Sequence, residues 1–445
     1  MYENDILRTV ESILRQHTPR LDASEIEKFV SDFLTRREIF LKICEVHGSP
    51  VYVIERAVLG ERLKQFTGAF RRELSDIRVY YAVKSNNHPL MAGILVKLGA
   101  GLDVSSGLEL KMGLETGAED IVFSGPGKTQ DELSLAVANS DRVTVLMDSF
   151  SELDRLQDIA ERAGVLVRAG IRVNTKAHGI WRKFGIPLSD LSRFFDEAQS
   201  RSNIRTCGIQ SHVSWNMNPD RQTEFINALG NTLAGLSVQH RSRIEFIDLG
   251  GGFWPSQGEW LQEAGTCEGA LRNAIIPQHD QPLVHFKRPA VGIERFASAI
   301  GSAVREHIFP YVSCRICFEP GRWLCNDAMH LLMTVMDKKE NDLLITDAGM
   351  NAVGWERFET DFFPVINLSR PDISEHKALV MGSLCTPHDV WGYGYFGSGI
   401  EPGNILLIPD QGAYTYSLRQ NFIKPLPCVV CLGSETDNSA IVAVE

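Results

Sequence analysis

Over the first 45 residues, apolar side chains recur at helical spacing: Ile6, Val10, Ile13 and Leu14, then Ile26, Phe29, Val30 and Phe33. This predicts a helical N-terminal extension over residues 1–45, with an apolar face suited to covering another surface. At SPVYVIE (49–55) the rhythm changes to short apolar runs of strand length. VYYAVK, GLDVSS, DIVFSG, RVTVLMDS, VLVRAGIRVN, IRTCGIQSHVS and RIEFIDLGGGF follow in order. Helix-length segments such as HPLMAGILVKLGA and SELDRLQDIAERAG separate most of them. Strand–helix alternation of this kind implies parallel βαβ units. Seven or eight such units suit a closed (β/α)8 barrel over residues 46–310 better than a six-stranded open sheet. The first strand, about 49–55, is a candidate for a neighbouring β domain instead. From about residue 311 the alternation fades. CRICFEPGRWL, MHLLMTVMDK, DLLITDAG, HKALVMGSLC, NILLIPD and PCVVCLG are apolar runs joined by turns, the pattern of an all-β domain over 311–445.

Composition narrows the class. Apolar residues make up 44 % and charged residues 23 % of 445, the balance of a soluble globular protein. The formal charge of −11 argues against broad binding to a nucleic-acid backbone. No apolar run is long enough to span a bilayer, and the start MYENDILRTVESIL does not read as a signal peptide, so the expected location is cytoplasmic with no membrane partner. Nine cysteines fit reduced thiols. The pairs Cys314/Cys317 and Cys428/Cys431 lie in strand-like runs, which send positions i and i+3 to opposite faces. They read as structural cysteines rather than a zinc site, and no metal is expected.

Candidate chemistry gathers at strand ends. Lys84 ends the run RVYYAV, where an ammonium must reach solvent or a partner. Gly250, Gly251 and Gly252 follow the strand of IDLGGGF. Glycines there admit close approach of an anion, and a helix N-terminus after them would add a favourable dipole. Alone, such a cluster is as often a tight turn; late in a barrel pattern it sits where phosphate is commonly held. FEPGRWL places Glu319 and Arg322 around a Pro-Gly turn, either an ion pair or a carboxylate and guanidinium at the barrel mouth. SHVSW puts His212 at a strand tip, where a plain core histidine is the competing reading. GSLCTPHD carries Cys385 and Asp389, with GAYTYS shortly after.

The ordered set AVKSN, GLDVSSGLEL, KFG, HVSW, DLGGGF, EPGR, GSLCTPHD and GAY resembles the alanine-racemase-fold, fold-type III, pyridoxal-phosphate decarboxylases that act on diaminopimelate, ornithine, lysine or arginine. The resemblance spans residues 49–435. It implies a (β/α)8 barrel with a C-terminal β domain, and a homodimer whose active sites draw on both subunits. It implies pyridoxal 5'-phosphate carried on Lys84, His212 stacked on the ring, and Gly250–Gly252 at the phosphate. Gly321, Arg322 and Tyr414 of EPGR and GAY match phosphate or substrate contacts. Glu319 matches the carboxylate facing the pyridine nitrogen, where it makes the ring a strong electron sink and favours decarboxylation over racemisation. Cys385 matches the cysteine supplied across the dimer as a proton donor, and Asp103 and Arg172 match supporting positions.

The chain also departs from that pattern. Where the family carries a Gly-Ser pair after the histidine, this sequence has Ser214-Trp215, which makes Ser214 a stand-in for the phosphate contact. After Cys385, an acidic residue in ornithine- or diaminopimelate-type enzymes is replaced by neutral Thr386, removing a charge-assisted bond to a distal ammonium. Thr386, Asp389 and Arg357 are the candidate substrate contacts. Arg357 resembles a carboxylate-binding arginine displaced by two positions, with a solvated surface residue as the equal alternative. The expected substrate is therefore an amino acid other than the familiar ones: D-ornithine, D-lysine or a carboxylated conjugate of specialised metabolism such as siderophore or antibiotic synthesis. A racemase on the same fold and a catalytically silent pyridoxal-phosphate binder are the alternatives.

Overall fold

The computed structural model describes residues 2–15, 17–175, 179–276, 283–354, 358–433 and 441–444. The chain divides into two compact units. One comprises Val58–Ser256 and Val291–Cys325; the other comprises Met1–Ala57, Gln257–Ala290 and Asn326–Glu445.

The first unit is the barrel. Its strands are β1 (Ile77–Ala82), β2 (Gly101–Val104), β3 (Ile121–Phe123), β4 (Val143–Met147), β5 (Val167–Asn174), β6 (Ile204–Gln210), β7 (Phe246–Asp248) and β8 (Arg315–Phe318). Parallel pairing runs β4-β3-β2-β1-β8-β7-β6-β5 and closes through β4–β5. Every catalytic-end loop therefore opens on one rim. The interior holds Tyr80, Val122, Leu146, Cys207, Phe246 and Cys317. A Cβ on Gly208 would lie 2.1 Å from the Phe246 ring, and one on Gly170 3.1 Å from it. Glycine at these two strand positions lets a single large ring fill the barrel. Strand β8 corrects the expected boundary at 311. CRICF reads as apolar β like its successors, yet Ile316 pairs with Ile77 and Ile247 to complete the barrel.

In the second unit a nine-stranded sheet curls so that Leu343–Thr346 pairs with both Glu375–Met381 and Met329–Lys339. Val51–Glu55 lies in this sheet, antiparallel to Met329–Lys339 and parallel to Cys428–Leu432. The strand 49–55 thus takes the second of its two expected places. The helices Ala23–Leu34 and Arg37–His47 lay Ile26, Val30, Phe33, Phe40 and Ile43 against Val51, Val53 and Leu332. Burying that apolar face is what makes helices of 12 and 11 residues stable. Glu55 fixes the arrangement chemically, accepting hydrogen bonds from Arg36 Nη1 at 2.6 Å and His330 Nε2 at 2.8 Å. Among the described residues no helix is long and apolar enough to cross a membrane.

Candidate active site

Lys84 sits two residues past β1, in the 3-10 turn Val83–Ser85. Tyr81 Oη donates to the Asn86 carbonyl at 2.9 Å, and His88 Nδ1 accepts from Leu90 N–H at 3.1 Å to cap the helix Pro89–Lys97. Both bonds fix the turn that aims the lysine. Its Nζ donates to Asp103 Oδ2 at the end of β2, and Asp103 Oδ1 accepts from Ser124 Oγ at 2.5 Å. A Cβ on Gly321 would lie 2.9 Å from Ser85, so the EPGR turn crosses directly over the lysine turn.

The neighbouring strand ends supply acids. Asp248 Oδ1 accepts from Gly250 N–H at 2.8 Å, and Glu319 Oε1 accepts from Gln210 Nε2 at 3.1 Å. Burial raises the Asp248 carboxyl to about 7, with Asp103 adding to the rise against the Gly250 bond. Burial, then Asp103 and Asp248, hold Glu319 well above the carboxylate range. Lys84 and Arg172 oppose that rise without cancelling it. Arg172 is buried 3.7 Å from Asp148, with its guanidinium 4.5 Å over the Phe184 ring. The mouth of the barrel is thus short of positive charge.

His212 Nδ1 accepts from Gly251 N–H at 3.0 Å, which leaves the ring proton on Nε2. Burial, with Lys84 and Arg172 nearby, pushes its pKa well below the ordinary histidine value, so the ring is neutral. Gly250 and Gly252 adopt φ of 67° and 82°, and a Cβ on Gly251 would meet the Glu319 carbonyl at 2.2 Å. These glycines bring the β7 loop against both the histidine loop and EPGR. Two expectations change here. The N–H groups of Gly250 and Gly251 are already bonded to Asp248 and His212, rather than both open to an anion. No helix starts at Gly252; the chain runs irregularly to the short strand Glu259–Leu261. Arg322, in the turn Arg322–Cys325, lies 4.3 Å over Trp254.

Lys84, Asp103, Arg172, His212, Ser214, the three glycines, Glu319, Gly321 and Arg322 all belong to the barrel unit. Cys385, Thr386, Asp389 and Tyr414 belong to the other unit. There Cys385 is exposed and Tyr414 takes a strained φ of 61°. Thr386 Oγ1 accepts from His388 N–H at 3.4 Å, and His388 Nδ1 lies 2.9 Å from Glu359 Oε1. Asp389 is fully buried and accepts from Met350 N–H at 2.6 Å and Leu384 N–H at 2.7 Å. One carboxylate oxygen therefore holds the Cys385 loop and the other the turn at Met350, a structural duty in place of the expected substrate contact. Arg357 lies outside the described residues. Sequence reasoning missed Asp248, Gln210, Ser124 and Glu109, a carboxylate close enough to feel Lys84 whose Oε2 accepts from Ser105 N–H at 2.7 Å. The Asp248–Gly250 contact was legible as an Asp two residues before a glycine turn, but the other three had no local signal.

Residues 59–326 match the family model for the pyridoxal-dependent decarboxylase pyridoxal-binding domain. A diaminopimelate decarboxylase from Aquifex aeolicus is 25 % identical over 429 residues, covering 92 % of this chain and 91 % of the relative. An L-glutamyl-[BtrI acyl-carrier protein] decarboxylase from Niallia circulans is 28 % identical over 369 residues, 77 % of this chain and 79 % of the relative. The crystal structure of a Helicobacter pylori diaminopimelate decarboxylase with L-lysine superposes with a TM-score of 0.74 at 21 % identity, covering 91 % of this chain and 95 % of the other.

Proposed function

Because the chain belongs to the pyridoxal-dependent decarboxylases, a family its barrel sequence matches from residue 59 to 326, we propose that it removes the α-carboxylate of an amino acid whose far end is conjugated rather than a free ammonium. The observation that carries the chemistry is the buried cluster of Asp103, Asp248 and Glu319 facing Lys84. A protonated pyridine nitrogen supplies the cation this cluster lacks, so the residues fit pyridoxal phosphate. Bound there, the cofactor supplies the sink for the electron pair left when the Cα–carboxylate bond breaks.

The protein's own groups do the rest. Asp103 fixes the Lys84 amine. Glu319 would ionise against a pyridine nitrogen bound there and hold its proton. His212, neutral, offers an uncharged ring face for stacking, and its position is set by Gly251. Arg322, Gly321 and Ser214 would hold the phosphate, with Gly250–Gly252 allowing close approach. Cys385 of the partner subunit of a homodimer returns the proton to Cα.

Thr386 carries the substrate reading, since a neutral side chain beside Cys385 offers no ion pair to a distal ammonium. Support also comes from the Niallia circulans relative, whose name describes a substrate borne on an acyl-carrier protein. CO2 release should be measured from L- and D-ornithine, L- and D-lysine, diaminopimelate and distally acylated or thioesterified amino acids. Turnover of a conjugate above the free diamino acids is expected. Preference for free ornithine or lysine would reject the substrate reading, and loss of optical rotation without CO2 would replace decarboxylation by racemisation.

A further inference from the structure

The rim of the barrel carries a surface that the proposed chemistry does not use. Strands β5 and β6 are neighbours, with Arg172 opposite Gln210, so the loops that follow them leave the same end of the barrel side by side. The loop after β5 presents Ile180, 87 % exposed, beside exposed Arg182 and Lys183. The loop after β6 presents Trp215, 61 % exposed, and exposed Arg221 donates from Nη1 to the Ser214 carbonyl at 3.3 Å.

Trp215 is not a side chain left loose. Its φ is 61°, a conformation tryptophan seldom adopts. Backbone pairing enforces it, with Asn216 N–H donating to Gly252 at 2.9 Å and Trp254 N–H to Asn216 at 3.2 Å. The ring meets Trp254 edge-on at 6.0 Å and remains largely open to solvent. Cations stand on the same two loops: exposed Arg182 and Lys183 after β5 and exposed Arg221 after β6, in a chain of net charge −11. Aromatic and aliphatic anchors ringed by cations are the composition of a surface that meets an acidic partner.

We propose that this rim docks a small acidic carrier domain that presents the amino acid on a flexible thioester arm. The inference rests on the conjugated substrate proposed above. Chemistry fixes where the arm attaches: the α-carboxylate must be free to leave, so the thioester is on the side-chain carboxyl. The Cα–carboxylate bond breaks, CO2 departs, one proton takes its place on Cα, and the thioester passes through unchanged. A distal thioester also has no charge for residue 386 to meet, in keeping with a threonine there.

The test compares two substrates with the cofactor-loaded enzyme: glutamate joined through its γ-carboxyl to a holo acyl carrier protein, and the same γ-glutamyl thioester on pantetheine alone. In the wild type the carrier-borne substrate should have the lower KM, rising with salt. The variants Arg182→Glu/Lys183→Glu and Ile180→Asp should raise that KM about tenfold or more and change kcat/KM for the pantetheine substrate less than twofold. Equal turnover of both substrates, with neither variant altering the ratio, overturns the docking surface while leaving the conjugate reading standing. CO2 from neither thioester but from a free diamino acid overturns both. Sedimentation showing that Arg182→Glu/Lys183→Glu splits a dimer assigns the rim to a second copy of this chain and also overturns the proposal.

Discussion

Replacing Glu319 with glutamine separates the electrostatics of the site from its shape. Burial, then Asp103 and Asp248, favour the protonated form of this carboxyl in the cofactor-free protein, and Gln210 binds Oε1 at 3.1 Å. Glutamine is close to isosteric with that protonated form. For an acid whose folded pKa is raised, the unfolded chain holds fewer protons above the ordinary glutamate value, so stability falls as pH rises toward the folded pKa. The cofactor-free Glu319→Gln protein should therefore be at least as stable as wild type at pH 7, with a flatter dependence of melting temperature between pH 5 and pH 7 (roughly the window above an unfolded glutamate's pKa). Activity should move the other way. A neutral amide cannot hold a protonated pyridine nitrogen in a water-excluded site, and losing one preorganised charge-stabilising group costs about 3–4 kcal/mol of barrier, about 10²–10³ in kcat. CO2 release under saturating substrate, with bound cofactor measured in the same sample, checks both halves. A variant that keeps its cofactor and turns over within about threefold of wild type (a barrier change below roughly 1 kcal/mol) would refute the electron-sink role. A cofactor-free variant that melts well below wild type would refute the protonated state.

Gly208→Ala drives a methyl into the Phe246 ring, at 2.1 Å in the present packing. Urea unfolding should show a loss of about 1–3 kcal/mol, and pairing it with Phe246→Leu should recover part of that loss. In the other unit, burial opposes but His330 and Arg36 outweigh it to hold the Glu55 carboxyl at about 2, below its ordinary 4.5. The pair's contribution is present above pH 4.5 and lost as pH falls toward 2, about 3 kcal/mol in all. Glu55→Gln should remove most of it at pH 7 and flatten the acid limb of the melting curve. Lys128 Nζ, fully enclosed, donates to Glu152 at 2.7 Å and to the Gly125 and Leu146 carbonyls at 2.8 Å. Lys128→Met strands a buried carboxylate and should cost about 3–5 kcal/mol, while Lys128→Met/Glu152→Leu should regain most of that in the same denaturation assay.

The barrel was legible because a parallel strand buried on both faces must be an uninterrupted apolar run, and the helices between such runs must be amphipathic. Lys84, His212, Glu319 and the glycines were legible for a related reason: each breaks an apolar run at its end, where a polar group is costly unless it is used. Two boundaries were not legible. Cys314-Arg315-Ile316-Cys317-Phe318 has the same local pattern as the β strands after it, and only pairing with β1 and β7 puts it in the barrel. Val51–Glu55 fits either a first barrel strand or the β domain on its local pattern, and only Leu332 and Val429 beside it decide between them.

Asp389 shows the same limit at the level of a single side chain. Its neighbours in sequence suggest substrate, yet both oxygens cap backbone N–H groups of a loop 39 residues away and a turn five residues away. Asp248 and Gln210 are the reverse case, ordinary in sequence and central in space. Sequence by itself determined which residue types stand at the ends of which runs, because burial period and turn chemistry are local. Tertiary structure alone decided protonation, since burial, together with charges 40 to 216 residues distant, drives Glu319 up and His212 down, and Coulomb interaction follows separation in space.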